Sequence, residues 1–326
     1  GDVYKRQLQI QPIPGAEQAS WLERTIRQGL APHSKERDAQ VISSHYDVGN
    51  DFYELFLGDS MAYTCAYYPT PDATLDEAQE NKFRLVFEKM NLKPGDKHLD
   101  VGCGWGSMVR YAARQGVKSL GVTLSKEQAE WAQAKIKEEG LEDLAEVRFL
   151  DYRDVTETDF DGISSIGLLE HIGVKNFASY FEFLAGKLRP GGVMVNHCIT
   201  YPDNHKTPQG DFINRYIFPD GELTGSGTII YEMQDHGFEV FHEENIRFDY
   251  MRTLHDWCEN LKANWDEAVA LVGENTAKLW GMYMAGSEWG FEHDVVELHQ
   301  VVGIKLASDG SRAGAPERRW WNDSVF

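Results

Sequence analysis

From residue 92 to residue 306 the chain alternates short apolar runs with longer amphipathic stretches, and that rhythm says most about its fold. Residues 76–90 carry Ala78, Phe83, Phe87 and Met90 close to one helical stripe, and Lys93-Pro94-Gly95-Asp96 then turns the chain. The apolar run into Leu99-Asp100-Val101 predicts a first strand, and residues 107–115 a helix. A second strand is expected over 117–123, followed by a helix opened by Ser125-Lys126-Glu127-Gln128 in capping-box form and ended by Gly140. Further strands are expected over 147–150, 163–169 and 193–199, with a helix over 177–188 and a turn at Arg189-Pro190-Gly191-Gly192. Strands alternating with helices at these intervals predict an α/β, doubly wound, mostly parallel sheet.

The flanks read differently. Over 21–56 apolar residues recur at helical spacing, broken by Pro32 and Gly49-Asn50, which predicts a helical N-terminal arm. Within it, Ser44-His45-Tyr46-Asp47-Val48-Gly49-Asn50-Asp51-Phe52-Tyr53 is either a pocket lining or a helix cap with packed aromatics. Residues 61–69, aromatic and closed by Pro69, read as a buried loop. Periodicity disappears over 200–227, as in an inserted lid; it resumes as helices over 253–263 and 266–286 and a closing strand over 295–306. The expected division is a disordered or non-native start at 1–20, an arm at 21–75, a main domain at 76–307 with a helical lid over about 200–265, and a loose tail at 308–326.

Charge narrows the partners. Thirty-two basic against 52 acidic residues give a formal charge of −20, which argues against a general nucleic-acid binder and weakens attraction to anionic lipid. Membrane contact would need a local patch, for which Arg318-Arg319-Trp320-Trp321 is a candidate. No apolar run reaches the length of a membrane span and no secretory pattern is seen, so a cytoplasmic protein is expected. Cys65, Cys103, Cys198 and Cys258 lack paired spacing, which suggests neither a metal site nor a disulfide framework.

In a doubly wound sheet, ligands sit outside the carboxyl ends of the strands. There the chain places a glycine turn, Gly102-Cys103-Gly104-Trp105-Gly106, suited to close backbone approach by a nucleotide. The second strand ends in Thr123-Leu124-Ser125, where a redox dinucleotide fold commonly has an acid, so a nicotinamide enzyme is disfavoured. Gln128 either bonds a ribose hydroxyl or completes the cap with Ser125. Glu170-His171 is either an acid–base pair or a helix-starting carboxylate with its neighbour. His197, inside an apolar strand, is either a satisfied core residue or a catalyst.

Five stretches carry a family resemblance: Tyr63-Thr64-Cys65-Ala66-Tyr67, Leu99 through Gly106, Gly121 through Gln128, Ile166 through Gly173, and Tyr216-Ile217-Phe218-Pro219-Asp220-Gly221. In register over about 44–305, they resemble the cyclopropane fatty-acid synthases. The resemblance implies a class I methyltransferase with a Rossmann-like fold that uses S-adenosylmethionine on the double bond of unsaturated phospholipid acyl chains. By matched position, Tyr63, Thr64, Asp100, Gly102, Gly104, Thr123, Leu124, Gln128, Tyr152 and Arg153 would hold the cofactor. Cys65, Glu170, His197, the backbone of Ile199, and Tyr250 would hold a bicarbonate base.

The chain departs from the family pattern in two places. Tyr152-Arg153 stands where a tryptophan and an acid are usual, and Ser287 where many members have cysteine. The product is a cyclopropane or a methylene-branched chain, the stretches over 196–204 and 264–274 looking closer to the second branch. The implied partners are phospholipid at a membrane surface visited peripherally, a flavin-dependent reductase if the product is methylene-branched, and a homodimeric second copy. The rivals are an amine N-methyltransferase and a lipid- or cofactor-binding protein without turnover.

Overall fold

The computed structural model describes residues 49–205, 213, 217 and 221–321. Expectations placed on 1–48, on Tyr216, Phe218, Pro219 and Asp220, and on 322–326 lie outside the described residues. Among those described, the strands are β1 (Lys97–Val101), β2 (Lys118–Thr123), β3 (Ala145–Phe149), β4 (Phe160–Ile166), β5 (Leu188–Thr200), β6 (Phe238–Asn245) and β7 (Glu297–Lys305). They form one sheet in the order β3-β2-β1-β4-β5-β7-β6. The pairings among β1 to β5 are parallel, and β7 runs antiparallel to both β5 and β6. Chain order reverses between β1 and β4, which opens a crevice at their carboxyl ends.

The helices are α1 (Asn50–Leu57), α2 (Leu75–Lys89), α3 (Ser107–Arg114), α4 (Lys126–Glu138), α5 (Leu169–Ile172), α6 (Phe177–Lys187), α7 (Ser226–Asp235), α8 (Arg247–Ala263), α9 (Trp265–Val272) and α10 (Glu274–Glu292). Their boundaries have local causes. Thr74 and Glu77 form a reciprocal capping box at α2, and Gly273 at φ +80° divides the helix expected over 266–286 into α9 and α10.

The strand expected over 163–169 ends earlier. Gly167, at φ +71°, turns the chain after Ile166, so Leu169 and Glu170 belong to the one-turn helix α5. Arg189-Pro190-Gly191-Gly192 is not a separate turn: β5 runs through it with a register irregularity opposite β4.

Two further expectations change. Residues 226–245, within the span expected as a lid, contribute α7 and the edge strand β6 to the main sheet. The helical cap is instead built from α1 and α8 to α10, around an aromatic core that includes Phe52, Tyr53, Trp257, Trp280 and Phe291. Residues 308–321 are held down rather than loose. Trp320 stacks on Phe241 at 5.3 Å and donates its indole N–H to the Glu88 carbonyl, while Arg312 grips Glu239 through two hydrogen bonds. The basic-aromatic patch is thereby partly spent on internal packing, with Trp321 only 6% exposed.

Candidate active site

The glycine turn leaves β1 with Gly102, Gly104 and Gly106 all in the left-handed region, at φ +71°, +55° and +73°. Only glycine adopts such conformations at three alternate positions at low cost. A side chain at Gly102 would strike Leu168, and one at Gly106 would press on Ala132 and Val147. One at Gly104 would project into open space, so there the backbone itself is presented to the crevice. That is the cradle a nucleoside cofactor requires, and α3 begins immediately after it.

Beside the turn, Thr123 and Gln128 join through a 2.8 Å hydrogen bond from the Thr123 hydroxyl to the Gln128 side-chain oxygen. Ser125 caps α4 by accepting from the Gln128 backbone N–H, but its own N–H goes to Thr123 Oγ1. The Gln128 side chain therefore does not close a capping box but pairs with Thr123 at the carboxyl end of β2, both buried. Leu124 between them is half-buried. Asp100 lies beneath the turn, where burial raises its carboxyl to about 7 against the Ser164 hydroxyl bond and the nearby Lys82 charge. Tyr152 and Arg153 stand just beyond β3, Arg153 forking onto Asp151 at 2.6 and 2.8 Å and lying over the Tyr152 ring.

On the other side of the crevice the residues come from distant parts of the chain. Glu170 on α5 is 9% exposed; its Oε1 accepts the Ile199 backbone N–H at 2.7 Å, and its Oε2 is buried with no hydrogen-bond partner. Burial raises this carboxyl to about 7, with the Ile199 N–H opposing. Two residues back on β5, His197 is 1% exposed. Its Nδ1 meets Gln300 at 3.1 Å, while its Nε2 is buried without a partner. Burial, reinforced by Lys82 and Lys89, holds its pKa well below the ordinary histidine value, so the ring is neutral. A buried polar atom without a partner is costly; His197 on β5, and Glu170 on α5 where it is bonded to Ile199 of the same strand, each carry one, which marks a place made for something polar.

The loop over 61–68 delivers Tyr63, Thr64 and Cys65, and is riveted on both sides. From α2, Gln79 donates to the carbonyls of Ala62 and Thr64, Asn81 to that of Tyr67, and Lys82 to the Thr64 hydroxyl at 2.8 Å. From α8, Thr253 accepts the Ala66 N–H and Asp249 the Tyr68 N–H. Cys65 directs its thiol to the Ala66 carbonyl, and burial raises its pKa, so it is a neutral polar wall rather than a thiolate nucleophile. Tyr63 and Tyr283 meet hydroxyl to hydroxyl at 3.3 Å. Tyr283 feels the Glu170 charge and bonds Ser287. Tyr250 packs on Phe291 at 4.5 Å and lies within electrostatic reach of Tyr63.

Sequence reasoning missed Lys82, Lys89 and Gln300. Burial lowers Lys82, which is fully buried, to about 7, and its charge reaches Cys65, Asp100 and His197. The signal was a lysine at 82 and another at 89 on the helix face that meets the core, and a glutamine inside an apolar strand. His171, by contrast, is only half-buried.

Residues 33–301 match the family model described as mycolic acid cyclopropane synthetase. A protein of Mycobacterium tuberculosis named as a probable fatty acid methyltransferase is 57% identical over 96% of this chain and 73% of its own length. The cyclopropane-fatty-acyl-phospholipid synthase of Escherichia coli K12 is 36% identical over 86% of this chain and 71% of its own. A mycolic acid cyclopropane synthase crystallised with SAH and CTAB superposes with a TM-score of 0.76 at 32% identity, covering 84% of this chain and 99% of that one. The chain belongs to the mycolic acid cyclopropane synthetase family and is an S-adenosylmethionine-dependent methyltransferase that acts on lipid.

Proposed function

We propose that the enzyme methylates the double bond of unsaturated phospholipid acyl chains at a membrane surface, with a bicarbonate ion held by Glu170, His197 and the Ile199 segment as base. The observation that carries this reading is the pair of partnerless buried atoms, Glu170 Oε2 and His197 Nε2, at the carboxyl-end side of β4 and β5. S-adenosylmethionine supplies an electrophilic methyl group on a sulfonium. The glycine turn, Thr123 and Gln128 would hold that ligand, together with Tyr63 and Thr64 of the riveted loop.

An alkene is a weak nucleophile, so alignment in a dry site supplies much of the acceleration. The new carbon–carbon bond would use the alkene's π electrons as the methyl–sulfur bond breaks, its electron pair staying on sulfur in the departing neutral thioether, and a cation would be left on the neighbouring chain carbon. Tyr63, Tyr250, Trp257, Trp280 and Tyr283 form a continuous aromatic cluster whose π faces suit such a cation. Loss of a proton from the added methyl, with its C–H electrons closing on the cationic carbon, gives a cyclopropane. If a hydride first shifts to that carbon, loss of the same proton leaves an exocyclic methylene, which a flavin-dependent reductase would convert to a methyl branch. Glu170, whose carboxyl titrates at about 7, is suited to take up a proton that a bound base would accept from the chain. The membrane would be met by the helical cap, where Phe248, Leu271, Met282 and Trp289 are exposed on α8 to α10.

Methyl-¹³C S-adenosylmethionine incubated with the enzyme and monounsaturated phospholipid vesicles tests this reading, with the acyl chains analysed by NMR. Label in a cyclopropane or an exocyclic methylene is expected. Cofactor binding with no label in lipid overturns the proposal, and label in a soluble amine would favour the amine methyltransferase instead.

A further inference from the structure

The partnerless nitrogen of His197 belongs to a row of side chains crossing three strands. In the sheet register His197 on β5 stands opposite Gln300 on β7, and Gln300 stands opposite Glu244 on β6. Side chains at paired positions share one face of a sheet, and here they are linked. Gln300 meets His197 Nδ1 at 3.1 Å through its amide nitrogen and accepts from Lys89 Nζ at 2.6 Å through its amide oxygen. Lys89, reaching in from α2 with no exposed surface, also pairs with Glu244 Oε1. Trp321 covers this corner, 5.9 Å from Lys89 Nζ and edge-on to His242.

The donors in this row have only one consistent order. Burial alone would raise the Glu244 carboxyl, but His242 and Lys89 outweigh it and hold Glu244 at about 2, so it is ionised and only accepts. Lys89 therefore presents N–H groups both to Glu244 and to the Gln300 oxygen, even as a neutral amine. With its oxygen committed to Lys89, the Gln300 amide must turn its NH₂ to His197. A neutral imidazole that accepts at Nδ1 carries its proton on Nε2. We infer that Gln300, oriented by Lys89 and Glu244, is the positioning residue that fixes His197 in the Nε2–H tautomer, so that this nitrogen donates to the oxyanion bound beside Glu170. The second half of that statement rests on the proposed bicarbonate reading; the tautomer does not.

The test is ¹⁵N-histidine NMR of the full chain, with the His197 signals identified by their absence in His197→Asn. The wild-type ring is expected neutral, protonated at Nε2 and bare at Nδ1. Gln300→Glu keeps the shape and the Lys89 partner but turns a donor into an acceptor, so it should move the proton to Nδ1 or charge the ring. Turnover on monounsaturated phospholipid should then fall about ten- to a hundredfold, the range typical of partners that orient an imidazole, with S-adenosylmethionine affinity unchanged. A wild-type ring protonated at Nδ1 overturns the inference, as does a Gln300→Glu protein whose His197 spectrum is that of the wild type. Absence of lipid turnover in the wild type would count against the proposed function alone, since the spectrum decides the tautomer without it.

Discussion

The two walls of the crevice are built on opposite principles. On the cofactor wall, one turn and the start of one helix supply the chemistry, and the Thr123 and Gln128 side chains bond each other across five residues. On the reactive wall, contributions from residues 65, 170, 197, 250 and 300 are gathered by the sheet and the cap, and two buried polar atoms there have no partner. In the proposed function the first wall binds by presenting backbone. The second holds polar groups in readiness at the expense of their desolvation, as sites organised for a charged step do. The two should therefore fail separately.

The largest separation is expected from His197→Ala, which should lower turnover about a thousandfold while calorimetry finds S-adenosylmethionine affinity within a few-fold of wild type. An equal loss of both would merge the walls. Next comes a stability difference carried by Glu170. Its folded carboxyl titrates at about 7 against an ordinary 4.5, so between those values the folded protein holds a proton that the unfolded chain has released. The stabilisation present below about pH 4.5 is lost as pH rises through 7, on the order of 3 kcal/mol. Denaturant unfolding of the ligand-free protein should show this loss, and Glu170→Gln should flatten it. Gly104→Val is the complementary change: it strains a left-handed position and fills the open space, raising the cofactor Kd about tenfold, or about 1.4 kcal/mol. The unfolding free energy should respond least to Trp320→Ala, which removes one ring stack and one hydrogen bond and should cost about 1 kcal/mol with turnover unchanged.

The same contrast explains what could be read from the chain alone. The glycine turn, the capped start of α4 and the alternation of β1 to β5 are local, because each is set by residues within one turn or one run of each other. Glu170 and His197 stood out as candidates from their places after the strands, and Cys65 and Tyr250 only through family resemblance, while nothing near His197 in sequence announces Gln300, more than a hundred positions away, or Lys89 on another helix. Where local reading failed, a tertiary contact had overridden it. Gly167 ends β4 so that Glu170 can turn inward on α5, β6 joins the sheet by pairing with β7, and the tail lies down because Phe241 and Glu88 receive Trp320.

The independence of the two walls is tested most directly by Glu170→Gln, measured in one preparation for cofactor affinity by calorimetry and for methyl transfer to monounsaturated phospholipid by single turnover. The substitution keeps the side chain's shape and its acceptor for the Ile199 N–H but removes its capacity to take a proton. The account predicts an unchanged Kd and a methyl-transfer product yield reduced about a hundredfold or more. A parallel loss of binding and transfer, or wild-type transfer, would contradict it.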